Sequence, residues 1–162
     1  MTEACGNKAP MDKLKILFLC TGNACRSQMA EGFARQLRGD AIEAYSAGTN
    51  PHGMNPLAIR VMSEAGVDIS GGRSKHVDEL KDVKFDHVVT VCDNAHETCP
   101  MFPGKTKVVH VGFQDPPKLA RDAGAQTEEE ALPYYRRVRD EIRKWVETLP
   151  QSLPPRAEAN AR

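Results

Sequence analysis

Three groups of residues in this 162-residue chain have types and spacings suited to chemistry. The first is Cys20 and Arg26, five residues apart in Cys20-Thr21-Gly22-Asn23-Ala24-Cys25-Arg26-Ser27. An apolar run carrying Leu14, Ile16, Phe18 and Leu19 leads into the cysteine, and Met29, Ala30, Phe33, Ala34 and Leu37 follow at helical spacing. A strand therefore enters this loop and a helix leaves it. A helix N-terminus presents unpaired N–H groups and partial positive charge, which make an anion site before any side chain is counted. Arg26 adds a planar fork that grips a tetrahedral oxyanion through two parallel hydrogen bonds. The same field predicts a Cys20 thiolate, its pKa lowered from about 8.5 into the range of roughly 3.5–7.5. Gly22 and Asn23 tolerate the left-handed backbone of a tight loop whose N–H groups face inward. Thr21, Gly22, Asn23, Ala24, Cys25 and Arg26 are thus the candidate oxyanion-binding residues, with Ser27 placed to donate to the Cys20 sulfur.

The second group is Cys92 and Cys99. Cys92 ends the β-rich run His87-Val88-Val89-Thr90-Val91, and Asp93 or Asn94 can cap a short helix between the two thiols. Seven residues of helix at about 1.5 Å each hold the Cα atoms roughly 10 Å apart, whereas a disulfide needs them within about 7 Å. A Cys92–Cys99 bond requires that helix to unwind. Two plainer readings stand beside a redox pair: buried structural thiols, or a zinc site with His96 or His110. The six-residue gap does not match the short spacings usual in zinc sites. The third group is Asp115-Pro116-Pro117, where Pro116 pushes Asp115 out of the helical region and stiffens its loop.

The elements that must position these groups alternate. Strands are expected over residues 14–19, 42–46, 87–91 and 107–111, and helices over 27–37, 56–65 and about 131–149. Thr127 with Glu130 makes a capping box, but Pro133 argues for a helix start nearer Ala131. The pattern predicts an α/β fold, a single-domain open parallel sheet of about four strands with helices on both faces. Cys20, Cys92 and Asp115 each follow a strand, so all three should meet at the carboxyl edge of the sheet, with residues 47–53 as a neighbouring wall. Residues 1–12 are expected to be a flexible N-terminal segment, 13–149 the catalytic domain and 150–162 a disordered tail.

The run from Cys20 to Glu31 resembles the anion loop shared by low-molecular-weight tyrosine phosphatases and by the arsenate reductases of the same fold. With Cys92, Cys99 and their flanks Thr90-Val91 and Pro100, residues 13–149 closely resemble the thioredoxin-coupled arsenate reductases. The resemblance implies that Cys20 attacks arsenate, that Cys92 attacks the adduct to release arsenite and leave a Cys20–Cys92 disulfide, and that Cys99 then attacks Cys92. Thioredoxin would reduce the final disulfide. Asp115 matches the general acid of both groups. The aromatic platform that phosphatases place after Asp-Pro is replaced here by Pro117 and Lys118, which favours a small free oxyanion. The alternatives are a tyrosine phosphatase using Cys20, Arg26 and Asp115 alone, and a redox-sensing or anion-binding module without turnover.

Some relatives hold a potassium ion beside this loop. Lys75 stands where such relatives carry an aspartate, so its ammonium is expected in the cation's place, paired with Glu31 and beside Ser46; no cofactor and no metal ligands are expected. Lysine plus arginine and aspartate plus glutamate both total 22, which recommends neither nucleic acid nor an anionic membrane as partner. No run is long enough for a membrane span and no signal pattern opens the chain. An odd count of five cysteines fits a reducing cytoplasm better than a secreted scaffold. A monomer is the expected state; Cys25 is expected to shape the loop, and no role is assigned to Cys5.

Overall fold

The computed structural model describes residues 13–92 and 106–155. Strand β1 (Leu14–Cys20) occupies the interior of a four-stranded sheet ordered β2-β1-β3-β4. β2 (Ile42–Gly48) pairs with it in parallel from Leu14 opposite Ile42 to Cys20 opposite Gly48. β3 (His87–Thr90) pairs along its other side, and β4 (Lys107–His110) continues beyond β3, again in parallel. Interior parallel strands are covered on both faces, so residues 16–19 read Ile-Leu-Phe-Leu without alternation and are all fully buried. The α/β class and the single parallel sheet are as expected, with strand ends displaced by one or two residues.

Among the described residues four α-helices accompany the sheet: α1 (Arg26–Arg38), α2 (Pro56–Glu64), α3 (Pro116–Asp122) and α4 (Glu128–Val146). α1 buries Met29, Ala30, Phe33 and Ala34, while α4 buries the stripe Ala131, Leu132, Tyr135, Val138, Ile142 and Val146. α4 touches each of the other three helices, and its Trp145 meets Phe18 edge to face. On the opposite face of the sheet Tyr45 packs edge to face on Phe85. Among the described residues no helix is long and apolar enough to cross a membrane.

Two expectations about helices change. α4 begins at Glu128, three residues before the expected start, and carries Pro133 inside. Thr127 accepts the Glu130 N–H at 3.1 Å and three glutamates fill the first turn. Capping, dipole and the buried stripe outweigh the hydrogen bond that proline removes. α3 was not expected: it is seven residues long, too short for periodicity to reveal, although Asp115-Pro116-Pro117 is a helix-start signal.

The expected disordered tail does not begin at residue 150. Leu153 is 7 % exposed, and the Pro154 carbonyl lies 2.7 Å from the ring Nε2 of buried His87. Arg38 donates to the Leu149 carbonyl at 2.9 Å, which ties the end of α1 to the same stretch. Residues 150–155 therefore close the lower end of the core.

Phe33 is 1 % exposed, in the core, with the Arg143 guanidinium 5.9 Å from its ring centre. Phe33→Ala removes this contact area and leaves a cavity, so it should destabilise the fold by about 3–5 kcal/mol. Urea unfolding should show a lower midpoint at unchanged slope.

Candidate active site

The site grows from the junction of β1 and α1. Cys20 is the last residue of the strand, and Cys25 occupies the helix N-cap position without a side-chain cap. By contrast, α2 is capped by Asn55, whose Oδ1 accepts from the Leu57 and Ala58 N–H groups. The first N–H groups of α1 are thus left for an anion.

Each loop carbonyl is tied away from the cavity. Thr49 N–H donates to Cys20 O at 3.2 Å, Asn50 to Thr21 O at 2.8 Å, His52 to Gly22 O at 2.9 Å and Asn55 to Ala24 O at 3.1 Å. Gln28 Nε2 reaches Asn23 O at 3.2 Å, and Met29 N–H takes Cys25 O at 2.9 Å. Asn23 adopts the left-handed conformation, φ 49°, as its type predicted. Gly22 does not use its freedom that way: a Cβ there would lie 2.8 Å from the His52 ring. A side chain at Gly22 would have to push the exposed His52 ring aside.

The Cys20 sulfur accepts the Asn23 N–H at 3.2 Å and lies 3.0 Å from Ser27 Oγ. Asn23 Nδ2 donates to that same Oγ at 2.8 Å, which leaves the serine proton to face the sulfur. Asn23 Oδ1 in turn accepts from Gln28 and from the Lys75 backbone, so the asparagine is held at both ends. Arg26 extends one Nη to the Phe113 carbonyl at 2.8 Å and the other towards Asp115 Oδ1 at 3.4 Å. Asp115 is the extended N-cap of α3 but makes no capping bond, so its carboxyl remains available at the cavity.

Cys92 comes up beside the loop. Its sulfur accepts the Thr21 N–H at 3.3 Å and lies 3.5 Å from Thr21 Oγ1. Cys20, Cys25 and Cys92 are all buried. This proximity corrects the expectation of a low-pKa Cys20. Cys92 and then burial push the Cys20 thiol well above its ordinary value, and the pull of Ser27 in the other direction does not offset them. Two sulfurs so close do not both ionise. Burial pushes Cys25 up to about 12, so it is inert at neutral pH.

Cys20, Thr21, Gly22, Ala24, Cys25, Arg26 and Asp115 line one cavity of about 560 Å³. Residues 47–53 form part of its wall through His52 and Gly53. Arg121 and Asn55 also line it, and neither was singled out from sequence; Asn55-Pro56 was readable as a helix start. Cys99 and His96 lie outside the described residues, as does Cys5.

Lys75 does not pair with Glu31. Its Nζ binds the Arg73 carbonyl at 3.1 Å, and burial lowers its pKa. Arg35, one turn along α1, already holds Glu31 at 2.7 Å, and Ser46 Oγ donates to its other oxygen.

This uncapped helix, outward-tied loop and strand-end cysteine occur in a chain that belongs to the low molecular weight phosphotyrosine protein phosphatase family, whose model matches residues 15–158. Within that family its similarity is to reductases. An arsenate reductase of Halalkalibacterium halodurans is 46% identical over 142 residues, 88% of this chain and 99% of that one. One from Bacillus subtilis is 50% identical over 132 residues, covering 82% of this chain and 91% of that one. A solved arsenate reductase in its phosphate-binding state superimposes with a TM-score of 0.68 at 29% identity, over 87% of this chain and 99% of that chain.

Two outcomes follow from this geometry. A Cβ at Gly48 would lie 2.4 Å from the Thr21 carbonyl and 3.0 Å from Asn23 N. Gly48→Ala should therefore displace the loop and weaken phosphate binding, measured by calorimetry, by about 10²-fold. Removing Cys92 removes the largest influence that raises the Cys20 pKa. In Cys92→Ser, alkylation of Cys20, followed by mass spectrometry against pH, should reach half its maximal rate at lower pH than in wild type.

Proposed function

We propose that this protein is an arsenate reductase that works by thiol–disulfide relay. The observation that carries the reading is the Cys92 sulfur, seated on the Thr21 N–H beside the Cys20 nucleophile. Hydrolysis of a phosphate ester has no use for a second thiol there, whereas reduction of an oxyanion does.

Arsenate sits on the free N–H groups of the loop and α1, with Arg26 across its oxygens. Cys20 ionises while Cys92 keeps its proton, so the neighbouring thiol donates to the new charge and ceases to oppose it. The Cys20 thiolate bonds to arsenic and one arsenate hydroxyl departs, taking a proton from Asp115 and leaving as water. Cys20 then no longer carries charge, which frees Cys92 to ionise under the Thr21 N–H. The Cys92 thiolate attacks the Cys20 sulfur, the sulfur–sulfur bond forms, and the sulfur–arsenic electron pair stays on arsenic. Arsenic(V) becomes arsenic(III) and leaves as arsenite.

Cys99 completes the cycle in this reading by attacking Cys92, which releases the Cys20 thiolate and moves the disulfide to Cys92–Cys99. The dithiol of thioredoxin reduces that bond. The protein acts as a monomer in a reducing cytoplasm. Arsenate and phosphate share shape and charge, and only the arsenic–sulfur adduct can be reduced by Cys92, so weak hydrolysis of aryl phosphates accompanies the main activity.

The test follows NADPH oxidation with thioredoxin and thioredoxin reductase. Wild type should consume NADPH in proportion to added arsenate. Cys92→Ser and Cys99→Ser should each lose multiple turnovers, while Cys92→Ser keeps aryl phosphate hydrolysis. Undiminished hydrolysis with no arsenate-dependent NADPH oxidation in wild type would make the protein a phosphatase.

A further inference from the structure

Arg121 is an exposed guanidinium on α3 that lines the Cys20 cavity. It has no ion pair and no side-chain hydrogen bond among the described residues. Every other arginine among them ion-pairs with a carboxylate or donates to a carbonyl or amide oxygen. The acid next to it is taken: Lys118 holds Asp122 at 2.8 Å. Pro116 and Ala120 are buried and seat α3, and Arg121 lines the cavity that Cys20, Arg26 and Asp115 share. Asp115 and Pro117, at the start of the same helix, line that cavity with it.

The cavity is also larger than its presumed guest. At about 560 Å³ it has the size of pockets that take ligands far larger than one tetrahedral anion. The loop and Arg26 line it together with Arg121 and His52, so it offers a second cation besides Arg26.

We propose that Arg121 forms an outer anion seat, which takes an incoming tetrahedral oxyanion dianion before the loop and Arg26 receive it. This rests on the oxyanion reading of the Cys20 loop. A cation on the wall of a cleft, with no salt bridge among the described residues, raises the local concentration of anions and their rate of entry. The final complex stays on Arg26, so the outer seat acts on capture and leaves the chemical steps to the groups below.

The experiment compares wild type, Arg121→Gln, Arg121→Lys and, as a charge control away from the cavity, Lys144→Gln. Arsenate kinetics are measured from about 0.01 M to 0.15 M salt, where the Debye length falls from about 30 Å to about 8 Å. Arg121→Gln should lose roughly tenfold in kcat/KM at the lowest salt, with the loss in KM and little of it in kcat, and the deficit should shrink as salt rises. Arg121→Lys should recover most of the loss, because capture needs a positive charge more than a fork. Calorimetry with inorganic phosphate supplies a readout independent of turnover, and Arg121→Gln should bind it more weakly at low salt. Equal phosphate affinity and equal kcat/KM in wild type and Arg121→Gln would overturn the outer seat alone. A wild type that bound no phosphate and reduced no arsenate would overturn the oxyanion reading with it.

Discussion

The direction of six backbone carbonyls decides what this molecule can hold. A loop that curls around an anion has to turn its N–H groups inward, and it stays that way only if its carbonyls find partners outside. Here the partners come from beyond the loop: Thr49, Asn50, His52 and Asn55 from the chain after β2, Gln28 and Met29 from α1. Each bond contributes about 1 kcal/mol net, but a carbonyl released into the cavity would face the anion with its negative end. The stability of the loop and its affinity for oxyanions therefore have the same origin. The space allowed to Gly22 and Gly48 follows from it, since His52 and the Thr21 carbonyl approach where a Cβ would stand.

The second constraint is electrostatic. An anion cradle favours negative charge on any sulfur within it, yet two buried sulfurs side by side cannot share that benefit. Cys20 has Asn23 and Ser27 as donors, and Cys92 has Thr21. The coupling between them imposes an order in which one thiolate must be consumed before the other forms. An isolated strand-end cysteine would have the depressed pKa expected of such a position; this pair does not.

The acid loop is fastened to the cradle through Arg26. One side of its fork holds the Phe113 carbonyl and the other approaches Asp115, so the arginine that follows the loop also fixes where that carboxyl lies. Phe113 packs on Trp145 at 6.0 Å between ring centres, and Trp145 packs on Phe18 of β1. The position of the carboxyl is thereby referred to the central strand through aromatic contacts of α4.

Much of this was legible before any coordinates. Cys20, Arg26 and Ser27 lie within eight residues, so covalent spacing and the helix after them settle their relation, and hydrophobic periodicity placed the strands within one or two residues. Asn23 followed from its residue type. Local signals failed where distant groups compete. Pro133 was outweighed by the cap and buried face of α4, and α3 was too short to show a period. Lys75 lost Glu31 to Arg35 and Ser46, and the Pro154 carbonyl met the ring of His87. The sequence by itself determined the strand-loop-helix frame that carries Cys20 and Arg26 and the parallel α/β class, because those depend on neighbours along the chain. Only the tertiary structure decided the Cys92–Thr21 contact, the raised pKa of Cys20 and the place of Arg121 on the cavity lining, because each depends on which residues the fold brings together from far apart in the chain.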